Sequence, residues 1–312
     1  MNRPIDLPRT VAPVQNVWTK ALDDNTARTQ LEIQNQDTTN ALNFMFSKYP
    51  WALSFDGTGD DVDITAALTA TLLASTKGSI TLWVKRDSGG AGTDTIWSAG
   101  DTDADEYIEL TISDANKLTM KLRTAAAIQW AFTGSTAIPT GEWVKIKLWH
   151  DGTAPRLFVN GDEIPGTWGT DTDQTAWFAD LAATLDNMYI GSSSYGGAGL
   201  QNSFRGDICF CQIHDGIGDS MSSLRAEVAR YEFKDGTGAT ITDDGANGDD
   251  GTITNATWAS KSPGLLLPAD SARILLPDQG CQDTLWLLTA SAAHGTVVVS
   301  EGVQSNPVRN QR

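Results

Sequence analysis

Apolar residues recur at every second position in several short stretches of the chain. Ser79–Lys85, Tyr107–Ile112, Lys117–Arg123, Trp143–Trp149 and Arg156–Val159 all follow this rule. A period of two puts one face of a strand on a core and leaves the other wet. Turn formers separate the stretches: Asp87-Ser88-Gly89-Gly90, Ser113-Asp114-Ala115-Asn116 and Asn160-Gly161-Asp162. Asn160-Gly161 directly after a strand predicts a two-residue hairpin, because both central positions of a type I′ turn need positive φ. Many short antiparallel strands joined by tight turns predict an all-β sandwich or barrel. One short helix is predicted over Ser222–Tyr231, where Leu224 and Val228 are spaced i, i+4.

The two ends read differently. Residues 1–26 carry Pro4, Pro8 and Pro13, mixed polarity and no sustained period, and are predicted as an extended N-terminal arm. Thr29–Asn35 and Ala41–Phe46 then read as strands, as do Leu265–Leu267, Ala272–Leu276, Thr284–Thr289 and Thr296–Ser300. Two or three strands with one apolar face are marginal alone, but about six can share a core. The expected organisation is therefore a small discontinuous β-sandwich of residues 27–49 plus 261–303, with residues 50–260 inserted in it and 304–312 as a tail. Such insertions are tolerated where the guest's ends lie close together.

Composition narrows the function classes. The 312 residues carry 39 acidic and 22 basic side chains, a net charge of 22 − 39 = −17. Nucleic acid is not an expected partner, since phosphate binding needs clustered Lys and Arg. No apolar run approaches the roughly 18 residues of a membrane span, and the start MNRPIDLPRT has no apolar stretch that predicts Sec export. Three cysteines fit a reducing compartment. Cys209-x-Cys211-x-x-His214 invites a zinc reading, but on a strand His214 faces away from both cysteines. Cys211 is expected as a small buried hydrophobe. No Gly-x-Ser-x-Gly elbow and no Gly-x-x-x-x-Gly-Lys loop occurs.

A run of landmarks in the middle block carries a resemblance. Leu53-Ser54-Phe55-Asp56-Gly57-Thr58-Gly59-Asp60-Asp61-Val62 resembles the opening strand of laminin-G-like, concanavalin A-type jelly rolls. Ser79–Lys85, Gly141-Glu142-Trp143-Val144-Lys145 and Leu157-Phe158-Val159-Asn160-Gly161 are similar to the strands that follow it in that family. Ile190-Gly191 and Phe204-Arg205-Gly206-Asp207-Ile208 resemble its closing strands, and Tyr231–Gly238 with Asn247–Trp258 its coda. The resemblance spans about 50–260 and implies two packed antiparallel sheets.

That superfold hosts lectins, adhesive modules, glycanases and spacers, so function must come from the residues. Retaining glycanases of this fold carry Glu-x-Asp-x-x-Glu on one strand, with the carboxyls about 5–5.5 Å apart. The hexapeptide is absent here, and Glu109 stands alone on its strand, so no enzyme is expected. Asp101-Thr102-Asp103-Ala104-Asp105 starts like an EF-hand loop but has Glu106 where the glycine belongs, and reads first as a solvated acidic turn. Calcium is common in laminin-G-like domains, and Asp60, Asp61, Asp101, Asp103 and Asp105 are the candidate ligands. No other cofactor is expected. Trp130, Trp168, Trp177 and Tyr195 lie in or beside loops; Trp168, Trp177 and Tyr195 are the candidates for stacking on sugar rings, against the alternative of core or loop-plug roles.

The ends carry a second, shorter resemblance. Arg28–Thr38, Gly264–Ser271 and Leu285–Glu301 are similar to strands and turns of small β-sandwich proteins of bacteriophage particles, with Ala269 where a glycine is usual. The expectation is a non-enzymatic virion protein on the capsid exterior, assembled in the host cytoplasm. It would be a decoration or cement protein, most simply a trimer, binding the major capsid protein through its base and through Arg3, Pro4, Arg9, Pro13 and Trp18 of the arm. The alternative is an adhesin on a tail or head fibre that binds surface glycans.

Overall fold

The computed structural model describes residues 51–88, 92–124, 127–181, 185–216 and 227–261 in full. Beyond them it describes the backbone of eight strands near the two ends. The chain divides into two compact units, one of Met1–Pro50 with Ser260–Arg312 and one of Trp51–Ala259.

The first unit holds two four-stranded antiparallel sheets. One runs in the order Ile5–Val11, Val297–Val303, Arg28–Asn35, Arg273–Pro277; the other Thr19–Leu22, Leu285–Leu288, Leu42–Phe46, Leu265–Leu267. Of the predicted arm, Ile5–Val11 and Thr19–Leu22 are described, and both are strands of these sheets: Ile5 lies opposite Val303 and Val11 opposite Val297. Its prolines explain the place it takes. Pro8 cannot donate to a ladder, and Ile5–Val11 is an edge strand, where a missing N–H costs little. Arg3, Pro4, Pro13, Trp18 and the tail lie outside the described residues, and Arg9 is described by its backbone alone.

The second unit is the jelly roll. Its nine-stranded sheet runs Gly166–Asp171, Ile128–Ala137, Lys117–Arg123, Tyr107–Ile112, Asp94–Gly100, Asn187–Ile190, Asp61–Asp63, Gly251–Thr254, Thr240–Ile241. Its eight-stranded sheet includes Pro155–Val159, Val144–His150, Gly78–Arg86, Arg205–Asp215 and Trp51–Asp56 in that order. Alternation decides which side chains face inward. Leu118, Met120 and Leu122 are fully buried while Lys117, Thr119, Lys121 and Arg123 between them are only half-buried. From the facing sheet Ile80, Leu82, Val84, Val144, Ile146 and Leu148 join the same core. Each such side chain contributes about 1.5–3 kcal/mol by leaving water.

The hairpin at Asn160-Gly161 forms as its residues require, with φ of +52° and +98° and Val159 paired to Asp162. Cys211 is buried in the core, and burial pushes its thiol pKa well up. The predicted helix is corrected. Glu227–Tyr231 is a strand, with Val228, Ala229 and Tyr231 buried, and residues 217–226 lie outside the described residues. The reason is an open edge. Along Arg205–Asp215, Trp51–Asp56 pairs with Arg205–Ile208, so on that edge Cys211–His214 would be left with unpaired backbone groups, and Glu227–Tyr231 covers them.

Candidate functional site

Three segments distant in sequence meet at one end of the jelly roll. The turn after Trp51–Asp56 is built by Gly57 and Gly59, with φ of +89° and +68°. Thr58 N–H donates to Asp56 Oδ1 at 2.7 Å, and Gly59 N–H to Ser203 Oγ at 3.1 Å. A Cβ at Gly57 would also stand 2.9 Å from Arg205 Nε, so the arginine side chain would have to shift. The second segment, Leu200–Arg205, is fastened where Asn202 O accepts from Thr95 N–H at 2.7 Å. The third is Gly92–Asp94. Between them lies a cleft of about 400 Å³, lined by Thr58, Thr93, Gln201, Asn202, Ser203 and Arg205 together with the glycines, Asp94 and Leu200.

The chemistry of the cleft is that of hydrogen bonding around one apolar contact. Arg205 and Asn202 are exposed and offer guanidinium and amide donors, and Leu200 is 44% exposed. Asp94 is the one carboxylate in the lining. It is buried and held by Arg86, whose Nε donates to Oδ2 at 2.9 Å. With its carboxylate engaged, the lining has no pair of acids to divide the roles of proton donor and base. The arrangement can hold hydroxyl-rich ligands.

The residues singled out in the sequence lie elsewhere. Val62, next to Asp61, lies opposite Ile190, and Gly100, next to Asp101, lies opposite Asn187 at the other end of the same strand, so the two groups of aspartates stand on the order of 10–15 Å apart at ~3.3 Å per residue. Asp60 accepts from Asp56 N–H, Asp101 Oδ1 caps the N–H groups of Asp103 and Ala104, and Asp105 pairs with Arg123 at 2.8 Å. The five do not converge, and among the described residues no group of three or more His, Cys, Asp or Glu side chains could hold a metal ion. Trp177 is corrected: it is fully buried between the sheets and cannot meet a sugar. Trp168 packs edge-on against Phe132 with 5.0 Å between centroids, and Tyr195 stacks on Tyr107 at 3.8 Å. Arg205 and Asn202 escaped sequence reading because the cleft draws on positions 57–59, 92–94 and 200–205, which no local spacing connects.

Asp61 has its own consequence. It is buried and Oδ2 has no hydrogen-bond partner. Burial first, then the neighbouring Asp63 and Asp60 carboxylates, push its pKa from 3.8 up to about 6. Between those values the folded chain holds a proton that the unfolded chain releases, so stability falls as pH rises through that window. Asp61→Asn is therefore expected to stabilise the jelly roll by about 1–3 kcal/mol at pH 7 and by almost nothing at pH 4. Urea unfolding at the two pH values measures this; a loss of stability at pH 7 would count against it.

Comparison with known proteins agrees with this architecture. A candidate carbohydrate-binding protein of Bacteroides ovatus shares the fold at 11% identity, over 85% of this chain and 94% of that one, with a TM-score of 0.50. The CBM40 module of Ruminococcus gnavus IT-sialidase bound to α2,3-sialyllactose matches at 21% identity over 54% of this chain and 91% of that one, TM-score 0.46. Domains LG4-5 of the mouse laminin α1 chain match at 17% identity over 54% and 43%, TM-score 0.37. No curated protein matches the chain. Residues 56–217 match the family model of the concanavalin A-like lectin/glucanases superfamily, and the chain belongs to that superfamily.

Proposed function

We propose that the chain is a non-enzymatic carbohydrate-binding protein that takes a glycan in the cleft beside Arg205. The observation that carries this reading is the cleft itself: a polar hollow of about 400 Å³ with an exposed guanidinium and amide, on a lectin-superfamily fold. Its one carboxylate is committed to Arg86, which supports binding over cleavage. Hydrogen bonds to a charged group contribute about 1.5–3 kcal/mol. Arg205→Ala is therefore expected to weaken glycan binding by roughly 10- to 100-fold when measured well below the variant's own melting temperature. Calorimetry against galactosides, mannosides, N-acetylglucosaminides, uronates and sialyllactoses tests this. Absence of binding to the whole panel, or an Arg205→Ala variant equal to the parent, would refute it.

A second reading places this glycan-binding unit on a phage particle, as a capsid decoration or fibre component. It is favoured by the pairing of Ile5–Val11 with Val297–Val303, which gathers both ends of the chain into one unit separate from the jelly roll. That unit would serve as the anchor. The terminal sequence motifs are the rest of its support. Co-sedimentation of the full chain with phage capsids tests it, and a chain that stays in the supernatant at micromolar concentration removes it.

A further inference from the structure

Next to the cleft, a segment of the jelly roll lies across the outer face of its own nine-stranded sheet. Residues 191–201 leave the Asn187–Ile190 strand at Gly191, with φ of +87°, and double back as a hairpin of Ser193–Ser194 with Leu200–Gln201. The Ser98 hydroxyl donates to Ser192 O at 2.9 Å. Gly196 N–H donates to Ala104 O at 2.9 Å, and Gly197 N–H to Thr102 O at 2.7 Å. Gly100 permits the close approach, because a Cβ there would stand 2.5 Å from Ser194 O. At the tip, the Tyr195 ring lies on the Tyr107 ring, 3.8 Å between centroids and 19° between planes.

The surface under and beside this segment is equipped as a site. Tyr107 and Glu109 occupy alternate positions of one strand and so share its outer face. Opposite them on the next strand are Arg123 and Lys121. Lys121 Nζ is 2.8 Å from Glu109 Oε1 and 4.9 Å from the centre of the Tyr107 ring. Glu109 is only 5% exposed, and its second oxygen, Oε2, has no hydrogen-bond partner. Ser192 Oγ, in the covering segment, is likewise buried and without one. A carboxylate oxygen enclosed without a donor calls for an explanation, because buried acceptors are nearly always satisfied.

We propose that residues 191–201 form a displaceable strap in which Tyr195 holds the place of a sugar ring, and that Tyr107, Glu109, Lys121 and Arg123 form a second subsite for a neutral hexopyranoside. This rests on the carbohydrate reading and deepens it. A pyranose presents an apolar C–H face that stacks on tyrosine as Tyr195 does, and its vicinal hydroxyls supply the donors that Glu109 Oε2 lacks. Lys121 is paired with Glu109 and Arg123 with Asp105, so these charges balance and neutral sugars are the fitting class. The strap also joins the two places, because Leu200 and Gln201 at its return are walls of the Arg205 cleft. Gly196, Gly197 and Gly199, at φ of +64°, +73° and +71°, give it the freedom to lift.

A site closed for most of the time binds with an affinity reduced by its open fraction. Tyr195→Ala should therefore bind gluco-, galacto- or manno-oligosaccharides at least about 5-fold tighter than the parent, and Tyr195→Ala with Glu109→Gln should lose the gain. Uronate oligomers should show no gain. Equal or weaker binding by Tyr195→Ala overturns the strap, since Tyr195 would then be structural or itself a ligand contact. Hydrogen exchange in the parent chain gives a readout independent of that variant's folding: the amides of Gly196 and Gly197 should exchange faster when a neutral oligosaccharide binds, and unchanged or slower exchange overturns the proposal. Binding abolished by Arg205→Ala but unmoved by Tyr195→Ala removes the strap and keeps the cleft. No binding by either the parent or Tyr195→Ala removes both.

Discussion

Arg86→Ala is expected to destabilise the jelly-roll unit by about 3–5 kcal/mol, the range found when one member of a buried ion pair is removed. Arg86 is 1% exposed and belongs to the eight-stranded sheet, whereas its partner Asp94, 2.8 Å away, opens a strand of the nine-stranded one. The pair therefore clamps the two sheets together. Arg86 Nη1 also donates to Asn116 Oδ1 at 2.6 Å and to Ser113 O, in the turn between two further strands. Without the guanidinium, Asp94 is left buried with its charge uncompensated. Burial already raises the Asp94 pKa, opposed chiefly by Arg86 and less by Arg205, so the variant's carboxyl will rise further. A carboxyl whose folded pKa lies above its unfolded one holds a proton that unfolding releases, so stability falls as pH rises through that interval. The loss should be largest at neutral pH and shrink on acidification. Urea unfolding followed by tryptophan fluorescence between pH 4 and 7.5 measures both effects. Arg86→Met combined with Asp94→Leu should recover most of the loss, because neither half of the pair is then stranded. A loss below about 1 kcal/mol, or one independent of pH, would falsify the clamp.

This clamp marks the boundary of what alternation reveals. In Lys117–Arg123 the order of apolar and polar residues is the order of buried and half-buried ones, because a period of two leaves each side chain one face to choose. Asn160-Gly161 was legible for a similar reason, since few residue pairs take positive φ twice. Arg86 breaks the pattern: a charged residue at an inward position reads as a strand end until its partner is placed in the opposite sheet. The strand Glu227–Tyr231 was hidden because what holds it is an unpaired edge of Arg205–Asp215, a property of the partner and not of its own five residues. The cleft was hidden by distance along the chain. Of the candidate sugar-stacking rings, the sequence showed that Tyr195 stands in a glycine-rich loop, but not that the loop folds back onto Tyr107. Each of these is a long-range pairing, and local pattern carries no trace of it.

Trp177→Ala is the second large effect expected, about 3–5 kcal/mol, and it separates the two roles open to a tryptophan in a loop. Trp177 lies in an irregular stretch before the Phe178–Asp180 turn, where no period indicates which way a ring points. The ring is fully buried. It stacks on His150 at 4.8 Å and on Trp130 at 6.5 Å, and meets Phe178 edge-on at 5.5 Å. Gly78 makes room for it, since a Cβ there would come 3.2 Å from the indole nitrogen. Its neighbours are themselves fixed: Trp130 Nε1 donates to Ala176 O at 2.9 Å, and His150 Nδ1 accepts from Gly152 N–H at 3.0 Å. So anchored, they cannot collapse into the space an indole leaves, and the cavity persists as an added cost. Trp177→Phe, which keeps an aromatic ring in the same place, should lose markedly less than the alanine variant. Neither variant should weaken glycan binding measured well below its own melting temperature, because the ring never reaches the surface. A Trp177→Ala chain as stable as the parent but unable to bind sugar would reverse the assignment and return this ring to the binding site.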